Sequence, residues 1–301
     1  MRVALSLDLL SRGANANTVI RLNGPVSAEP VLVYIARCQP GMHRGRNVDP
    51  GLRIAKALLD YGADVDGRDY IGDTPLMFAA SNGDTNMVRL LLDHRADVNA
   101  RGFSGVTAIS NAAAENRSAI VLMLIQKGAN MNAVTEHQDA LDVAAMEGAA
   151  AAEAVLLNHG AGTPASRYGA LAIGALSDRA DIVRMLLRAG VPANKPAGLD
   201  PAIVSAVQGG DLSIVRLLLR NGADINARDA SGRSALMWAT ESPAMTRFLL
   251  AHGAKVNIRE PGVNGHTALD LAEFDEHPHH WTVWRILKNA GGLPGRQPAP
   301  K

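Results

Sequence analysis

One short segment of the chain has the residue types of a metal site. Three histidines lie within His277–His280, directly after Asp275 and Glu276. Imidazole nitrogens and carboxylate oxygens are ligands for zinc and nickel. A proline interrupts the run, however, and the spacing is not the His-Glu-x-x-His of a metal-binding helix. We therefore favour an exposed polar loop at 275–281 without metal, and a metal-dependent enzyme built on these histidines is the less favoured alternative.

The other candidates for chemistry are weaker. Cys38 has no His or Asp motif around it, which favours a buried or inert thiol. The basic stretch His43–Arg46, within the loop 38–50, could meet an acidic partner or a phosphate, but three charges make a weak patch and a solvated loop is favoured. The chain has no Gly-x-x-x-x-Gly-Lys, Gly-x-Ser-x-Gly or Cys-x-x-Cys motif. We predict a protein that is not an enzyme and that needs no cofactor.

Composition excludes several classes of protein. Lys and Arg total 30 against 29 Asp and Glu, a net charge of +1, which does not suggest a nucleic-acid binder. A single cysteine cannot form a disulfide within the chain. We find no cleavable signal peptide and no apolar run long enough to span a membrane. These observations predict an intracellular, cytoplasmic monomer that is not inserted in a membrane.

A short pattern recurs along the chain and indicates helices in a repeat. An apolar run is followed by Gly-Ala and then Asp or Asn, as at Leu58–Asp64. The glycines of this pattern, with Arg95 standing in once, are separated by 49, 33, 33, 32, 30, 32, 31 and 38 residues. Aromatic residues are only 4% of the chain, so alanine and leucine must fill the core, which suits closely packed helices. The period predicts an all-α repeat protein.

The clearest copy of the repeat is the segment 68–100. Thr74–Met77 resembles the Thr-Pro-Leu-His turn of the ankyrin repeat, and Ala96–Ala100 falls on a family position. Pro75 suits the first turn of a helix, and glycine after the second helix suits a left-handed stop. The resemblance covers nearly the whole chain. It implies an ankyrin-type solenoid of helix-turn-helix units with hairpin-like fingers, which binds protein partners on its concave face.

The steps of the repeat predict the domain organisation. We expect one array over residues 1–294, with a disordered tail at 295–301. Within the array, the expected parts are a half-repeat at 1–17, a unit with an insertion at 18–67, and seven units over 68–294. The unit that we place at 167–196 has lost the turn glycine and threonine, so we expect a local irregularity there.

One motif residue of the family is missing from this chain, and an asparagine recurs at a position that is modified in some family members. The histidine of the family motif, which normally ties neighbouring loops together, is absent everywhere, which predicts a looser array or one stabilised by other bonds. Asparagine recurs at a finger position that is enzymatically hydroxylated in some ankyrin proteins: Asn99, Asn132, Asn226 and Asn257. We favour a structural role in which each asparagine side chain bonds the backbone of its own turn.

The family resemblance also gives candidate partner-binding residues, carried over position by position. The finger-tip candidates are Tyr70, Ile71, Asp73, Phe103, Ser104, Val106, Glu136, Tyr168, Arg233 and His266, and the candidates at the ends of first helices are Ser81, Asn82, Glu115, Met146, Gln208 and Glu241. Tyr70 and Phe103 fall at matching finger tips, and aromatic anchors dominate interface energetics. We expect the hot spot there. The alternative function is a regulatory or targeting array that is part of a larger chain.

Alignment with the family places the histidine segment in an enlarged turn between two helices, so we predict that purified protein holds no stoichiometric metal after dialysis. Elemental analysis of the parent and of the His279→Ala, His280→Ala double variant tests this. A metal ion that survives dialysis in the parent and is lost in the double variant would contradict the prediction.

Overall fold

The computed structural model describes residues 8–21, 28–38, 50–135, 138–196, 198–261, 265–274 and 278–295. A helical turn at 8–11 is followed by a small antiparallel sheet, in which β1 (Val19–Arg21) pairs with β2 (Ala28–Pro30) and Val19 lies opposite Pro30. Most of the expected insertion in the unit at 18–67 and much of the histidine segment fall at 39–49 and 275–277, outside the described residues.

Helices make up most of the described chain, which confirms the predicted all-α repeat fold. Two single-turn 3-10 segments, Phe103–Gly105 and Ala239–Glu241, lie between them. In the described residues the α-helices are α1 (Val31–Arg37), α2 (Pro50–Asp60), α3 (Pro75–Asn82), α4 (Thr85–Asp93), α5 (Ala108–Ala114), α6 (Ser118–Gln126), α7 (Ala140–Glu147), α8 (Ala150–Asn158), α9 (Pro164–Leu176), α10 (Ala180–Arg188), α11 (Ala202–Gly209), α12 (Leu212–Arg220), α13 (Ala235–Trp238), α14 (Pro243–Ala251), α15 (Ala268–Phe274) and α16 (His280–Asn289). Among the described residues, none of these helices combines the length and the apolar character needed to cross a bilayer.

In five repeats, the first turn of the first helix is held by a bond that replaces the missing histidine. Thr74 caps α3 and Pro75 is its first residue, where a missing N–H does no harm. The sulfur of Met77, at the histidine position, accepts the Thr74 N–H at 3.5 Å. Oxygen or sulfur atoms at the same helix position accept the N–H of the capping residue in four further repeats, from Ser110, Asp142, Met237 and Asp270. The turns are therefore stabilised by other hydrogen bonds, which is the second of our two expectations.

The second helix of each pair stops at a left-handed residue. Gly62 ends α2 with φ of 83°, a conformation in which a Cβ is costly. Arg95 takes the same conformation after α4, with φ of 67°, although it carries a side chain. The repeated glycines of the sequence pattern are therefore helix stops, as predicted.

The chain divides into two compact units, 1–162 and 163–301. In the first unit, α3 packs against α1 and α5, and α5 packs against α7. In the second, α11 packs against α9 and α13, and α13 packs against α15. The facing helices approach closely because fully buried alanines line them, among them Ala79, Ala80, Ala112, Ala113, Ala144 and Ala145.

The irregular repeat that the sequence predicted begins with a long helix. Helix α9 starts at Pro164, three residues before the predicted unit boundary, and Thr163 caps it. Tyr168 therefore lies inside this helix, where it is fully buried and its hydroxyl accepts the Ala202 N–H at 2.8 Å. Our placement of Tyr168 at a finger tip is corrected, because a helix replaces the finger at this point.

The C-terminal end of the described array includes one residue that we assigned to the tail. Gly295, which we placed at the start of the tail, is buried and donates its N–H to the Asp270 carboxylate at 2.6 Å. Asp270 also accepts the Thr267 N–H. Gly295 therefore packs against the last repeat, and 296–301 lie outside the described residues.

Asparagine side chains join several repeats to the next one. Asn99 Oδ1 accepts the N–H of Asn130 at 2.7 Å, and its Nδ2 donates to the carbonyl of Gly128 at 3.1 Å. The same pair of bonds to the loop of the next repeat is made by Asn17, Asn194, Asn226 and Asn257. Our expectation that these side chains bond their own turn is wrong. The side chain that bonds its own turn is that of the residue two positions before the asparagine. Asp97, for example, accepts the Asn99 N–H.

We predict that Asn99→Ala lowers the free energy of unfolding by about 1 to 2 kcal/mol, because it removes two hydrogen bonds between repeats. Urea denaturation followed by circular dichroism measures the change. The control is Asn86→Ala on α4, an exposed position whose side chain forms no hydrogen bond to the described residues. Equal stability of the two variants would show that the inter-repeat bonds contribute nothing.

Candidate protein-binding surface

The first finger of the described array is organised by one carboxylate. Asp69 Oδ1 accepts the N–H groups of Ile71 and Asp73 at 3.0 and 2.9 Å. The backbone closes the turn, since the Gly72 N–H reaches the Asp69 carbonyl. Gly72 has φ of 96°, which a side chain would disfavour. The Asp-Tyr-Ile-Gly-Asp sequence is therefore a rigid turn that presents Tyr70 and Ile71 at its tip.

The second finger is bonded to the first. Its turn closes through the Gly102 N–H and the Val106 carbonyl, at 2.8 Å. Asp73 of the first finger accepts the Phe103 N–H at 3.1 Å, and burial raises the pKa of Asp73 although that hydrogen bond opposes the rise. Arg68 donates to the Arg101 carbonyl at 2.7 Å. The two fingers thus form one hydrogen-bonded platform.

The tip of this platform is apolar and exposed. Tyr70 is 61% exposed, Ile71 41% and Phe103 64%. Scattered exposed apolar residues are common, but three on two linked turns form a cluster of the kind that marks an interaction site. Ser104 and Val106 flank Phe103 and are half-buried, so they offer less surface.

A buried ionic group supports the platform from behind, and sequence reasoning missed it. Arg37, at the end of α1, forms ion pairs with Asp69 at 2.6 Å and with Glu29 at 2.8 Å, and it stacks over the Phe78 ring. Glu29 and Asp69 are both buried. Arg37 is separated from Asp69 by 32 residues, and no local pattern signals that the two meet.

The candidates at the ends of the first helices have mixed environments. Asn82 uses its amide to donate to the carbonyls of Ala36 and Arg37 at 3.1 and 2.9 Å, so it caps α1. Ser81 is half-buried and accepts an Arg117 hydrogen bond through its carbonyl. The side chains that remain exposed at such ends are Glu115, Met146, Gln208 and Glu241. Contact of a partner with these four side chains would leave the hydrogen bonds of the platform intact.

In the second unit, two candidates meet at one carboxylate. Arg233 and His266 both approach Glu260, His266 at 3.1 Å, and Arg233 also lies over the Trp238 ring. The Asp229 carboxylate accepts bonds from the Arg233 N–H and from the Trp238 indole N–H, as Asp69 organises its own finger. These finger residues are half-buried and already bonded. Glu136 lies outside the described residues.

Candidates for catalysis are not brought together in the part of the chain that the structure describes. No group of three His, Cys, Asp or Glu there could hold a metal ion. His279 precedes α16 and His280 begins it, while His277 lies outside the described residues. The absence of a metal in the histidine segment therefore stays a prediction. Cys38 is a half-buried thiol directly after α1.

Three carboxyl groups lie together at α7 and α8, of which Asp139 and Glu153 are buried and Asp142 is half-buried. Glu153 on α8 is fully buried, and neither of its carboxyl oxygens has a hydrogen-bond partner among the described residues. Burial, and then the charges of Asp139 and Asp142, raise the pKa of Glu153 to about 8. Burial and the charge of Asp139 likewise raise the pKa of Asp142 to about 6. The matching position is apolar in the other second helices except α14, where it is Thr246, and a carboxyl group at this position was the available sequence signal.

Stacked helix pairs with hydrogen-bonded fingers define a helical repeat protein. A family model described as ankyrin repeats, in three copies, matches residues 47–135 and 203–292, more than half of the chain. The chain belongs to the ankyrin repeat family. Ankyrin repeats are in general modules for protein–protein interaction.

Curated relatives match shorter parts of the chain. The rat (Rattus norvegicus) ankyrin repeat and SAM domain-containing protein 6 is 34% identical over 111 residues, which are 34% of this chain and 12% of that protein. The mouse (Mus musculus) ankyrin repeat and SOCS box protein 11 is 34% identical over 74 residues, 25% of this chain and 23% of that protein. The chain thus spans less than a quarter of the length of each.

A solved structure confirms the fold. The crystal structure of the human ASB11 ankyrin repeat domain superposes with a TM-score of 0.64, and the match covers 74% of this chain and 98% of that one. The two sequences are 23% identical in this comparison, so the likeness concerns the fold alone.

We predict that Glu153→Gln stabilises the protein at alkaline pH relative to acidic pH. The folded-state pKa of about 8 lies above the ordinary 4.5, so the folded chain binds the extra proton and stability falls as pH rises from about 4.5 to 8. A glutamine side chain does not titrate, so its contribution to stability does not change over this pH range. Each pKa unit corresponds to about 1.4 kcal/mol, so the variant should gain about 2 kcal/mol or more over the parent between pH 5 and pH 8.5.

Denaturant unfolding at the two pH values measures this difference. The control is Glu147→Gln, an exposed carboxyl on the neighbouring helix α7. If both variants follow the parent equally at the two pH values, Glu153 is ionised in the folded state and the prediction fails.

Proposed function

We propose that this chain is a scaffold or adaptor without enzymatic activity, and that it binds a partner protein on the face lined by its finger tips and first helices. In the first unit this is the expected concave face of the solenoid. The observation that carries the proposal is the exposed apolar cluster Tyr70, Ile71 and Phe103 on two bonded fingers.

Rigidity supports the choice of this cluster as the hot spot. A preorganised surface loses little conformational freedom when a partner docks. Both finger backbones are held by Asp69, Asp73 and Arg68, and Arg37 holds Asp69. Tyrosine and phenylalanine have few rotatable bonds and a large apolar area, so their burial by a partner contributes much of the binding energy.

The surface around the hot spot can supply the polar rim. Glu115 and Met146 are exposed at the ends of α5 and α7, in the same unit as the two fingers. Residues that surround a hot spot usually contribute little energy and mainly exclude water. We therefore assign Ser81, Ser104 and Val106 to this supporting role, and we no longer assign Tyr168 to the surface because it is buried.

We predict that Tyr70→Ala and Phe103→Ala each weaken binding of the partner by about 2 kcal/mol, roughly 30-fold. The partner is recovered by affinity capture with the full chain and identified by mass spectrometry, and its affinity for each purified variant is measured by calorimetry. Unchanged thermal melting of both variants is required. The expected loss follows from removing a desolvated aromatic anchor.

The matched control is Tyr61→Ala. Tyr61 is 52% exposed but follows α2, away from the fingers, so its removal should leave affinity within about twofold. The assignment is wrong if Tyr70→Ala and Phe103→Ala also bind within twofold while Arg233→Ala or Glu241→Ala abolishes binding. In that case the hot spot belongs to the second unit.

A second candidate function is a targeting array that is part of a longer chain. The similar rat and mouse proteins carry a SAM domain and a SOCS box by name, and this chain spans 12% and 23% of their lengths. The complete reading frame around the segment distinguishes this function from that of a free adaptor. The same finger surface would bind the partner in either case.

A further inference from the structure

A ladder of arginines runs across the outer helices of the second unit. Arg184, Arg216, Arg247 and Arg285 occupy matching positions on α10, α12, α14 and α16. Each lies between residues that its helix buries in the core, and all four are exposed. Four successive repeats therefore present a guanidinium group on the side of the helix that faces away from the core.

A second row of cations lies one helical turn further on. Arg188, Arg220 and Lys288 are exposed at three or four residues from the first row, which places them on the same helix face. None of these seven cations is within 4.0 Å of a carboxylate in the described residues. The only acidic residue on the four helices is Asp181, in the first turn of α10. The positive charge of this face is therefore not neutralised locally.

The fold itself does not require this charge. At the first-row position, the outer helices of the first unit carry Lys56, Arg89, Leu122 and Ala154. Lys56 is already paired with Asp60 at 2.7 Å. The row is thus broken in the first unit and complete in the second, a segregation that the net charge of +1 for the whole chain conceals.

An exposed tryptophan extends the same face on the last helix. Trp281 is 62% exposed, and Arg285 and Lys288 follow it at four and seven residues, on one side of α16. Trp284 contacts Trp281 edge-on, with 6.0 Å between ring centroids. Between the preceding helices, Arg216 lies over the Phe248 ring at 5.3 Å, so the guanidinium of α12 rests against α14.

We propose that this outer helix face of the second unit docks on the anionic headgroup layer of a lipid membrane. The face consists of Arg184, Arg188, Arg216, Arg220, Arg247, Trp281, Arg285 and Lys288. It lies on the outer helices rather than on the fingers, so the docking is independent of the function proposed above and leaves the finger surface available to a protein.

The arrangement of the charges favours a planar partner. Packed helices lie about 8–10 Å apart, and residues one turn apart on a helix are separated by about 5–6 Å, so the cations form an array in two dimensions. Anionic headgroups also form a two-dimensional array, whereas a single strand of nucleic acid follows one line and prefers a groove with several stacking aromatics. Tryptophan is enriched at the membrane–water interface, where its ring is half apolar and half hydrated.

Sedimentation of the full chain with lipid vesicles tests the proposal. Vesicles of phosphatidylcholine with phosphatidylserine should bind the protein, and vesicles of phosphatidylcholine alone should not. A Lys or Arg near an anionic surface raises partitioning roughly fivefold, so reversing the charges of Arg184, Arg216, Arg247 and Arg285 to Glu should lower it by at least about 100-fold. Trp281→Ala should lower it by roughly tenfold, because the indole no longer enters the interface.

The matched control reverses four exposed cations outside the proposed face. Arg53, Lys127, Arg228 and Lys255, all changed to Glu, alter the net charge equally and should retain most of the binding. If the fourfold Arg→Glu variant fails to fold by circular dichroism, the fourfold Arg→Gln variant at the same positions replaces it. Quenching of the parent's tryptophan emission by brominated lipid gives an independent readout, which Trp281→Ala should reduce.

Two outcomes would overturn the proposal. One is that the parent does not sediment with phosphatidylserine vesicles, or that the test and control variants bind them equally. The other is that a DNA or RNA oligonucleotide, or a polyglutamate peptide, binds through the four arginines while the vesicles do not. That result would assign the face to a nucleic acid or to an acidic protein.

Discussion

The inter-repeat bond of the finger asparagine is the interaction on which the rest of the array depends. An ankyrin helix pair cannot bury its apolar faces alone, so its geometry is set by its neighbours. Asn99 and its equivalents bind both an N–H and a carbonyl in the loop of the next repeat, and this fixes where the next finger starts. Where an asparagine makes this bond, the start of the next finger follows from it, and between the first two fingers Asp66 accepts the Asp97 N–H in its place.

Polar side chains inside the repeats differ in whether they form a hydrogen bond. Side chains as different as Met77, Ser110 and Asp270 accept the same capping N–H, because the helix position supplies the geometry and only an acceptor atom is required. Glu153 is the opposite case. It is buried beside two carboxyl groups and has no hydrogen bond to the part of the chain that the structure describes, so its proton is retained well above the ordinary pKa of a glutamate.

The two units carry surfaces of different chemistry. The fingers of the first unit expose tyrosine, isoleucine and phenylalanine on turns braced by a buried ion pair, which suits a protein partner. The outer helices of the second unit expose a row of arginines, which suits an anionic partner. These surfaces use different residues and different elements, so substitutions in one leave the residues of the other unchanged.

The sequence by itself determined the period, the family and the ends of the helices, because those depend on local chemistry. Pro75 starts a helix and Gly62 stops one through their own backbone preferences. Only the tertiary structure showed that Tyr168 is buried, that Arg37 braces Asp69 across 32 residues, and that the asparagines bond the next repeat. These contacts join residues about one repeat apart, and the propensities of a single segment carry no information about which neighbour it will face.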